Sequence, residues 1–321
     1  MADKDLVLGI DIGGSKTAFG FVDIKGNLIC ATTMPTQSHD SAKTFVSRLH
    51  QRIEKARANL PSSHRLCGIG VGAPNAHHYR GTIEKAVNLN WGETINFVGL
   101  MRKHYDLPVS ITNDANAAAL GEMLFGNARG MKHFLVITLG TGLGSGIVAD
   151  GHLIHGASGF AGELGHIVVD PDGRKCGCGK RGCLETYVSA TGLQRTATEL
   201  LAKLLDPSPL RAMSYQKITA KHIFDLAAND DVIALAAFDR TARILGMKLA
   251  DAVAHTSPEA IFLTGGMAAA GDLLLKPTGR YMEEFLFGAY RGTVKLMPSG
   301  LAAGKSAILG AAALIWHELA Y

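Results

Sequence analysis

The 321-residue sequence has no long apolar run. Hydrophobic residues make up 47% of the chain, yet no stretch approaches the roughly 18 consecutive apolar residues that span a bilayer. A strand pattern begins by Leu6, which leaves no room for the basic segment, apolar segment and cleavage site of a secretory signal. We therefore expect a soluble globular protein of the cytoplasm with no membrane partner. The length is enough for two domains, each with its own core.

The sequence also has no block of like charges. Charged residues make up 19% of the chain, and 32 basic against 28 acidic residues give a formal net charge of +4. The basic residues are spread along the chain, without the aromatic residues that accompany them in nucleic-acid-binding surfaces. This pattern argues against nucleic acid as a partner.

Cysteine is scarce, and no C-x-x-C redox motif is present. Three of the five cysteines, Cys176, Cys178 and Cys183, lie in the segment KCGCGKRGCLE with the spacing C-x-C-x₄-C. In a reducing compartment such a cluster indicates metal ligands or catalytic thiols rather than disulfides. Cys30 and Cys67 lie alone in apolar surroundings typical of strands, and we predict that both are core residues.

The cysteine cluster favours a zinc site, because Zn²⁺ takes four ligands in a tetrahedron and the cysteines supply three. The nearest fourth ligand is His166 in GELGHIVVD, with His155 and His152 as weaker alternatives. Two acids, Glu163 and Glu185, flank the predicted site. Carboxylates that converge there could receive several hydroxyls of a neutral sugar.

Two familiar phosphate-binding patterns fail when their residues are counted. The segment GLAAGKS (300–306) has three residues between its glycines, where a P-loop requires four. The segment GTGLGSG (140–146) has Ser145 where the dinucleotide-binding fingerprint needs its third glycine. Both readings are therefore disfavoured.

Two glycine-rich segments are similar to each other. Residues 8–23 and 136–150 both read as strand, glycine-rich turn and strand, and the alignment pairs Gly13 with Gly140 and Asp23 with Asp150. Such turns let backbone N–H groups converge on an anion. The first turn offers a carboxylate for Mg²⁺, hydroxyls and an ammonium through Asp11, Gly13, Gly14, Ser15, Lys16 and Thr17. The second offers an uncharged cradle of Gly140, Thr141, Gly142 and Gly144. The sequence therefore predicts two related domains, each with one phosphate loop.

The rest of the chain alternates strands with helices, which predicts an α/β fold. Strands are predicted at 27–34, 66–74, 107–114 and 260–266. Helices are predicted at 40–58, 115–126, 190–205, 219–229, 232–256 and 272–286, with a last one from Ser306.

The segment TND (112–114) ends a strand and opens a helix. Asp114 suits a helix N-cap, and it equally suits a general base for a substrate hydroxyl, with Asn113 holding another hydroxyl. The segment NLNW (88–91) offers Asn88 as a polyol contact, although a surface loop explains it as well.

Taken together, these motifs resemble those of a known family. CGCGKRGCLE, preceded by E-L-G-H at 163–166, is similar to the signature of the ROK family of repressors and sugar kinases. The order D-I-G-G-S-K-T, N-D, G-T-G-L-G, E-L-G-H, C-G-C-G and L-T-G-G is similar to its kinases, over nearly the whole chain. The resemblance implies an actin-like ATPase fold with two ribonuclease-H-like lobes around a cleft. The lobes would be 1–117 with 306–321, and 118–305.

The resemblance also implies roles for these residues. Both glycine-rich loops would embrace the phosphates of ATP with Mg²⁺, and the adenosine would lie near Thr264, Gly265 and Gly266. Asp114 would be the catalytic base. The sugar would be bound by Asn88, Asn113, Asp114, Glu163, His166 and Glu185. His166 would be shared with a structural Zn²⁺ held by Cys176, Cys178 and Cys183, and the protein would be a homodimer.

Two departures from the family pattern are visible. Asn75 stands where the family often has glycine, which weakens the expected loop contact there, and Ser15 stands where threonine is more usual.

The function expected from this resemblance is ATP-dependent phosphorylation of the 6-hydroxyl of glucose. Mannose, fructose, N-acetylglucosamine and N-acetylmannosamine are alternative acceptors. A sugar-sensing transcriptional regulator is the alternative of another class, although only about ten residues precede Asp11 where such proteins carry a helix-turn-helix domain. A zinc-binding structural module would leave the phosphate loops unexplained.

Overall fold

A computed structural model describes residues 4–37, 39–86, 89–302 and 304–320. Asn88, one of the predicted sugar ligands, lies outside these ranges. The chain forms two compact units. Unit 1 comprises Met1–Met131, Leu153–Ala161 and Gly300–Tyr321, and unit 2 comprises Lys132–His152 and Gly162–Ser299.

The strands and helices alternate as the sequence predicts. The strands are β1 (Asp5–Ile12), β2 (Lys16–Asp23), β3 (Leu28–Pro35), β4 (Arg65–Gly72), β5 (Ala76–His77), β6 (Thr82–Glu84), β7 (Thr94–Asn96), β8 (Val109–Thr112), β9 (Phe134–Leu139), β10 (Leu143–Ala149), β11 (His152–Leu153), β12 (Ala260–Thr264) and β13 (Lys295–Pro298). The helices are α1 (Ala42–Arg57), α2 (Phe97–Arg102), α3 (Asp114–Phe125), α4 (Ala190–Lys203), α5 (Ala220–Ala227), α6 (Val232–Thr256), α7 (Asp272–Phe285) and α8 (Ser306–Ala320).

Two five-stranded sheets have the same topology. Their strand orders are β3-β2-β1-β4-β8 and β11-β10-β9-β12-β13. In each sheet the first strand is central, antiparallel to the second strand and parallel to the fourth. The similarity of the two glycine-rich segments therefore reflects two copies of one sheet.

The two glycine-rich turns differ by one residue. In the first hairpin Ile12 faces Thr17, whereas in the second Leu139 faces Leu143, so the second turn is shorter. Gly13 and Gly140 both follow the last paired residue of their first strand, as the alignment predicts. The pairing of Asp23 with Asp150 is wrong by one position, because the shorter turn shifts the return strand.

The sheet of unit 1 is covered on both faces because β1 buries alternate residues on opposite sides. Leu8 and Ile10 join the cluster that includes Phe45 and Leu49 of α1. Val7 joins a second cluster with the α8 residues listed here: Ile308, Leu309, Ala312, Ile315 and Trp316. A helix therefore packs on each face, which fixes β1 and the loop that follows it.

The core of unit 2 is built around α6, a helix of 25 residues. Its N-cap Asp231 accepts a hydrogen bond from the backbone N–H of Ala234 at 2.8 Å. Its apolar residues Leu245, Leu249 and Val253 join one cluster with Leu135 and other residues of β9. Despite its length, α6 is amphipathic, and in the described part of the chain no helix is long and apolar enough to cross a membrane.

The bounds of the two units differ from the predicted lobes. The predicted boundary between residues 117 and 118 would divide α3, whereas the structure keeps α3 whole in unit 1. The reason is close packing of α3 on α8, since a Cβ added to Gly121 would lie 3.0 Å from the Cα of Gly310. Residues 153–161 also belong to unit 1, which the sequence does not indicate.

Two local predictions are wrong, since Cys30 and Cys67 are half-buried rather than core residues. Trp91, the last residue of the NLNW segment, lies in the core of unit 1, with its ring centroid 4.8 Å from that of Phe45, so this end of the segment is not a surface loop. The small sheet β5-β6-β7 and α2 went unpredicted because these elements are too short to show a period.

Candidate functional site

The zinc-ligand candidates come together in unit 2. His166 ends a 3₁₀ turn at Leu164–His166. Its Nδ1 atom lies 3.6 Å from the sulfur of Cys176, and the sulfurs of Cys178 and Cys183 are 3.6 Å apart. All four ligand atoms lie within 4.8 Å of one another. His152 and His155 are not part of this group, so His166 is the histidine that the fold selects.

These distances fit a tetrahedral zinc site. With Zn–S bonds of about 2.3 Å and a Zn–N bond of about 2.05 Å, the edges of a tetrahedron measure about 3.8 Å for S···S and about 3.6 Å for N···S. The loop that carries the thiols is also held by its own backbone. The N–H of Cys176 donates to the carbonyl of Lys180 at 2.9 Å, and the Lys180 ammonium donates to the carbonyl of His166 at 2.7 Å.

Glu185 lies beside this cluster, on the 3₁₀ turn Leu184–Thr186. Its Oε1 atom is 3.0 Å from the sulfur of Cys176 and 3.8 Å from Nδ1 of His166. Glu163 precedes the turn that carries His166 and is exposed. The structure thus brings Glu185 and His166 together, as the sequence predicts for a site that receives hydroxyls.

The E-L-G-H segment is fixed from two sides. A Cβ added to Gly165 would lie 2.2 Å from the carbonyl oxygen of Leu143, so only glycine fits there. The buried hydroxyl of Ser145 donates to the carbonyl of Gly162 and accepts from the N–H of Leu164. The serine that breaks the dinucleotide fingerprint therefore holds the backbone around Glu163.

The second glycine-rich turn touches the same group. A Cβ added to Gly142 would lie 2.8 Å from Oε2 of Glu185, so the glycine admits the carboxylate. The start of α4 also meets this turn, where the N–H of Ala190 donates to the carbonyl of Gly140 at 2.9 Å. The hydroxyl of Thr191 donates to the carbonyl of Thr141 at 3.2 Å. The sequence did not predict this helix start as part of the site, although the S-A-T-G segment after Glu185 carries an N-cap signal.

A cavity of about 580 Å³ adjoins this turn. Its walls combine backbone of the turn with apolar side chains and one ammonium. They are Gly140, Thr141, Ala190, Leu193, Ala220, Lys221, Phe224, Phe238, Gly266, Met267, Ala269 and Ala270. Of the predicted adenosine contacts, Gly266 lines the cavity and Thr264 and Gly265 do not. Gly265 has φ +92°, and a Cβ added there would lie 2.5 Å from the carbonyl oxygen of Leu139, so the position requires glycine.

Two carboxylates lie at one edge of the unit 1 sheet. The parallel strands β1, β4 and β8 end on the same side, with Asp11 near the end of β1 and Asp114 just after β8. The N-cap of α3 is Asn113, whose Oδ1 accepts from the N–H of Asn116 at 2.7 Å. The N-cap interpretation of Asp114 is therefore wrong, and its carboxylate accepts a hydrogen bond from the N–H of Ala115 at 2.9 Å.

The surroundings of both carboxylates favour their neutral forms. Burial and then the charge of Asp114 raise the pKa of Asp11 to about 6. Burial also raises the pKa of Asp114, because nearby protein excludes much of the water even though its side chain keeps an exposed surface. Two carboxylates whose negative charges repel in this way attract a cation.

The first glycine-rich turn presents only part of its predicted set to solvent. The N–H of Gly13 donates to the carbonyl of Lys16 at 3.0 Å, and the side chains of Ser15 and Lys16 are exposed. Gly14 is half-buried. Thr17 is fully buried, and its hydroxyl bonds to that of Thr36 at 2.9 Å. Thr17 thus supports the turn from behind.

Asn75 shows why an asparagine is accepted where the family often has glycine. Its φ is +51°, in the left-handed region that asparagine tolerates better than most residues. Its side-chain amide donates to the carbonyl of Lys85 at 3.2 Å. Asn75 therefore acts within its own loop.

Two copies of one five-stranded sheet, each with a glycine-rich turn at its central hairpin, define an actin-like ATPase fold. The chain belongs to the ROK family, whose profile matches residues 7–318. It is 39% identical to a glucokinase of Halalkalibacterium halodurans, over 89% of this chain and 87% of that protein.

Solved structures of this family resemble the chain closely. A ROK family glucokinase from Streptomyces griseus, in complex with glucose and AMPPNP, has a TM-score of 0.81 at 34% identity and covers 96% of this chain and 98% of its own. A ROK family transcriptional regulator, a homolog of the E. coli MLC protein, has a TM-score of 0.88 at 27% identity. That match covers 98% of this chain and 78% of the regulator.

Proposed function

We propose that the chain is an ATP-dependent kinase that phosphorylates the 6-hydroxyl of glucose. The observation that carries this proposal is the close approach of the Glu185 carboxylate to Gly142, where an added Cβ would lie 2.8 Å from Oε2. It puts a hydroxyl acceptor beside a loop suited to phosphate, which a phosphoryl transfer from nucleotide to sugar requires. Relatives named glucokinase, and a neighbour solved with glucose and AMPPNP, support the same assignment.

We assign the sugar to Glu185, Glu163, His166, Asn113 and Asp114, together with Asn88 outside the described residues. The cap fixes how Asn113 takes part, because its Oδ1 accepts from the helix and its Nδ2 is left to donate. For His166, Nδ1 faces the thiols, so Nε2 is the atom that would meet the sugar.

His166, Cys176, Cys178 and Cys183 would hold a structural Zn²⁺. When bound, the ion fixes the tautomer and orientation of the imidazole ring. The chain's own part is to place the ring next to Glu185, 3.8 Å from Nδ1 to Oε1.

We assign the nucleotide to the two glycine-rich turns and the cavity in unit 2. Gly13, Gly14, Ser15 and Lys16 are the proposed phosphate contacts of unit 1, and Gly140, Thr141, Gly142 and Gly144 are those of unit 2. The cavity of about 580 Å³, with Phe224, Phe238 and Gly266 in its wall, has the size and apolar character of an adenosine site. Thr17 would act indirectly by supporting its turn.

In the proposed reaction Asp114 accepts the proton of the sugar 6-hydroxyl. The new bond joins that oxygen to the γ-phosphorus as the bond from phosphorus to the bridging β-phosphate oxygen breaks, and ADP leaves. The raised pKa of Asp114 suits a group that must take and return a proton. Asp11 would hold Mg²⁺, which neutralises phosphate charge when bound, and its repulsion from Asp114 fits a site for a cation.

Sugar-dependent ADP release, measured across glucose, mannose, fructose and the two N-acetylhexosamines, tests the proposal. We expect glucose to be the best acceptor. Asp114→Asn should lower kcat about 10²–10⁴-fold, and calorimetry should show glucose affinity within a few-fold of the parent. Turnover at the parental rate in Asp114→Asn would remove the assignment of the base.

A regulator remains the alternative of another class, because the regulator structure superposes with a TM-score of 0.88. Glucose-dependent ADP release would exclude a purely regulatory role, whereas sugar-sensitive binding to operator-like DNA without turnover would favour it. Assembly as a homodimer, location in the cytoplasm and the exact division into lobes stay predictions. Light scattering tests the first of these.

A further inference from the structure

Arg174 is a nearly buried arginine two residues before Cys176, and it belongs to no motif that the sequence analysis identifies. Its side chain is 10% exposed. Four hydrogen bonds and an ion pair hold its guanidinium group. Nε donates to Oε1 of Glu199 at 2.9 Å. One terminal nitrogen lies 2.8 Å from the same oxygen in an ion pair and donates to the hydroxyl of Thr196 at 2.9 Å. The other terminal nitrogen donates to the carbonyls of Thr186 at 2.6 Å and Gly192 at 3.1 Å.

These acceptors belong to two different parts of the site. Thr186 follows Glu185 on the same 3₁₀ turn, so its carbonyl sets where that turn lies. Gly192 and Thr196 lie in the first two turns of α4. One guanidinium therefore ties the turn that carries the sugar-binding candidate to the beginning of a helix.

The beginning of α4 in turn holds the second glycine-rich turn, through Ala190 and Thr191 on the carbonyls of Gly140 and Thr141. Glu185 contacts the same turn at Gly142. Arg174 thus connects the Glu185 turn to the start of α4, and both of these lie against the same glycine-rich turn.

A lysine could not make this link. Arginine presents its donors in a rigid planar fork, whereas lysine has one nitrogen at the end of a flexible chain. The Arg174 fork is also held from its face, since its Cζ lies 4.4 Å from the centroid of the Tyr187 ring. Glu199 could balance the charge of a lysine as well as that of an arginine. Only the planar guanidinium, however, can also donate to two carbonyls and a hydroxyl on separate elements.

We propose that Arg174 is a positioning residue that couples the sugar side of the site to the nucleotide side. It ties the Glu185 turn to the Gly140–Gly142 turn through the start of α4, so that a ligand that orders one turn also orders the other, and occupation of one side favours occupation of the other. The inference rests on the proposed function, because it takes Glu185 as a sugar contact and the glycine-rich turn as a phosphate contact.

The test compares glucose affinity with and without AMPPNP, by calorimetry on the parent, Arg174→Lys and Arg174→Met. In the parent we expect AMPPNP to tighten glucose binding about 5–100-fold, the usual range for coupled sites. In Arg174→Lys the ratio should fall to near one, and kcat should fall at least about tenfold. Zinc content and cooperative thermal unfolding should be retained in Arg174→Lys, so it decides the case if Arg174→Met does not fold.

Arg240→Met is the matched control. Arg240 is 38% exposed and meets Glu199 from the other side at 3.2 Å, and none of its hydrogen bonds reaches Thr186 or Gly192 among the described residues. Its removal should leave the ratio at the parent value. A parent ratio of one, or a folded Arg174→Lys protein with the parent ratio, would overturn the inference. Failure of the proposed function has a different signature, which is a parent protein without glucose-dependent ADP release.

Discussion

Replacing Asp11 with asparagine should stabilise the protein while it abolishes turnover. Asp11 lies near the end of β1, where burial and the charge of Asp114 raise its pKa from 3.8 to about 6. The same environment that suits a cation therefore destabilises the folded state when no cation is bound. Asparagine keeps the shape of the side chain and removes the charge.

The expected gain follows from the size of the shift. A rise from 3.8 to about 6 corresponds to about 3 kcal/mol, because one pKa unit is worth about 1.4 kcal/mol. Solvent screening around the half-buried carboxylate reduces this, so we expect Asp11→Asn to gain about 1–3 kcal/mol at pH 8. For units of this size that is a rise in Tm of about 2–4 °C for each kcal/mol.

The gain should depend on pH with a defined sign. Because the folded state binds the proton more tightly than the unfolded state, the parent loses stability as pH rises from about 4 to about 6. The advantage of Asp11→Asn should therefore be absent below pH 4, reach about half its full size near pH 5, and stay constant above pH 7.

The assay is thermal unfolding without sugar, nucleotide or Mg²⁺, with zinc left in place, at pH 5 and pH 8. Asp172→Asn, which removes an exposed carboxylate, serves as the control and should change Tm little. Glucose-dependent ADP release is measured on the same samples. A variant less stable than the parent at pH 8, or a gain equal at both pH values, would refute the reasoning.

Three further outcomes are expected. The value of kcat/KM for glucose should fall about tenfold per pH unit below pH 6, because protonation of Asp11, whose pKa is about 6, removes the proposed Mg²⁺ ligand; a flat profile down to pH 5 would contradict this. Metal analysis should find one zinc per chain, and Cys178→Ser should lower glucose affinity about tenfold or more with AMPPNP affinity little changed; equal losses of both would argue against the clamp. Gly142→Ala should raise the glucose KM about 10–100-fold, because its Cβ displaces Glu185 and weakens a charged hydrogen bond. Gly288→Ala, at an exposed position outside the proposed site where no atom lies within 4 Å of the added Cβ, is the control and should leave the glucose KM unchanged.

The sequence is most informative where the chemistry is local. The thiol spacing and His166 predict the zinc cluster because all four ligands lie in one short stretch, and the alternation of apolar runs predicts the α/β class. Sequence-based predictions are less accurate for single residues. The helix predicted from residue 115 begins one residue earlier, so Asn113 caps it and Asp114 does not. Thr17 turns inward because its place in β2 faces Thr36, which no motif shows.

Contacts between distant segments are what the sequence does not show. Neither periodicity nor spacing puts Gly142 against Glu185, or Arg174 against Thr186 and Gly192. These contacts depend on how the segment between β11 and α4 folds back over the end of β9. Cys30 fails for a related reason, since its strand β3 is at the edge of the sheet and alternate residues there are only half covered.

The two copies of the sheet differ in what is attached to them rather than in their strands. In unit 1 the carboxyl ends of β1 and β8 present Asp11 and Asp114, and the turn between β1 and β2 is charged. In unit 2 the equivalent turn is one residue shorter and uncharged, and the segment before α4 supplies the cysteines, Glu185 and Arg174. A duplicated sheet with equal turns would offer two similar phosphate sites. The proposed kinase instead takes its proton acceptor and its Mg²⁺ ligand from unit 1, and its zinc-supported sugar contacts and its contacts to the base of the nucleotide from unit 2. The long zinc-bearing segment is what makes the second unit different.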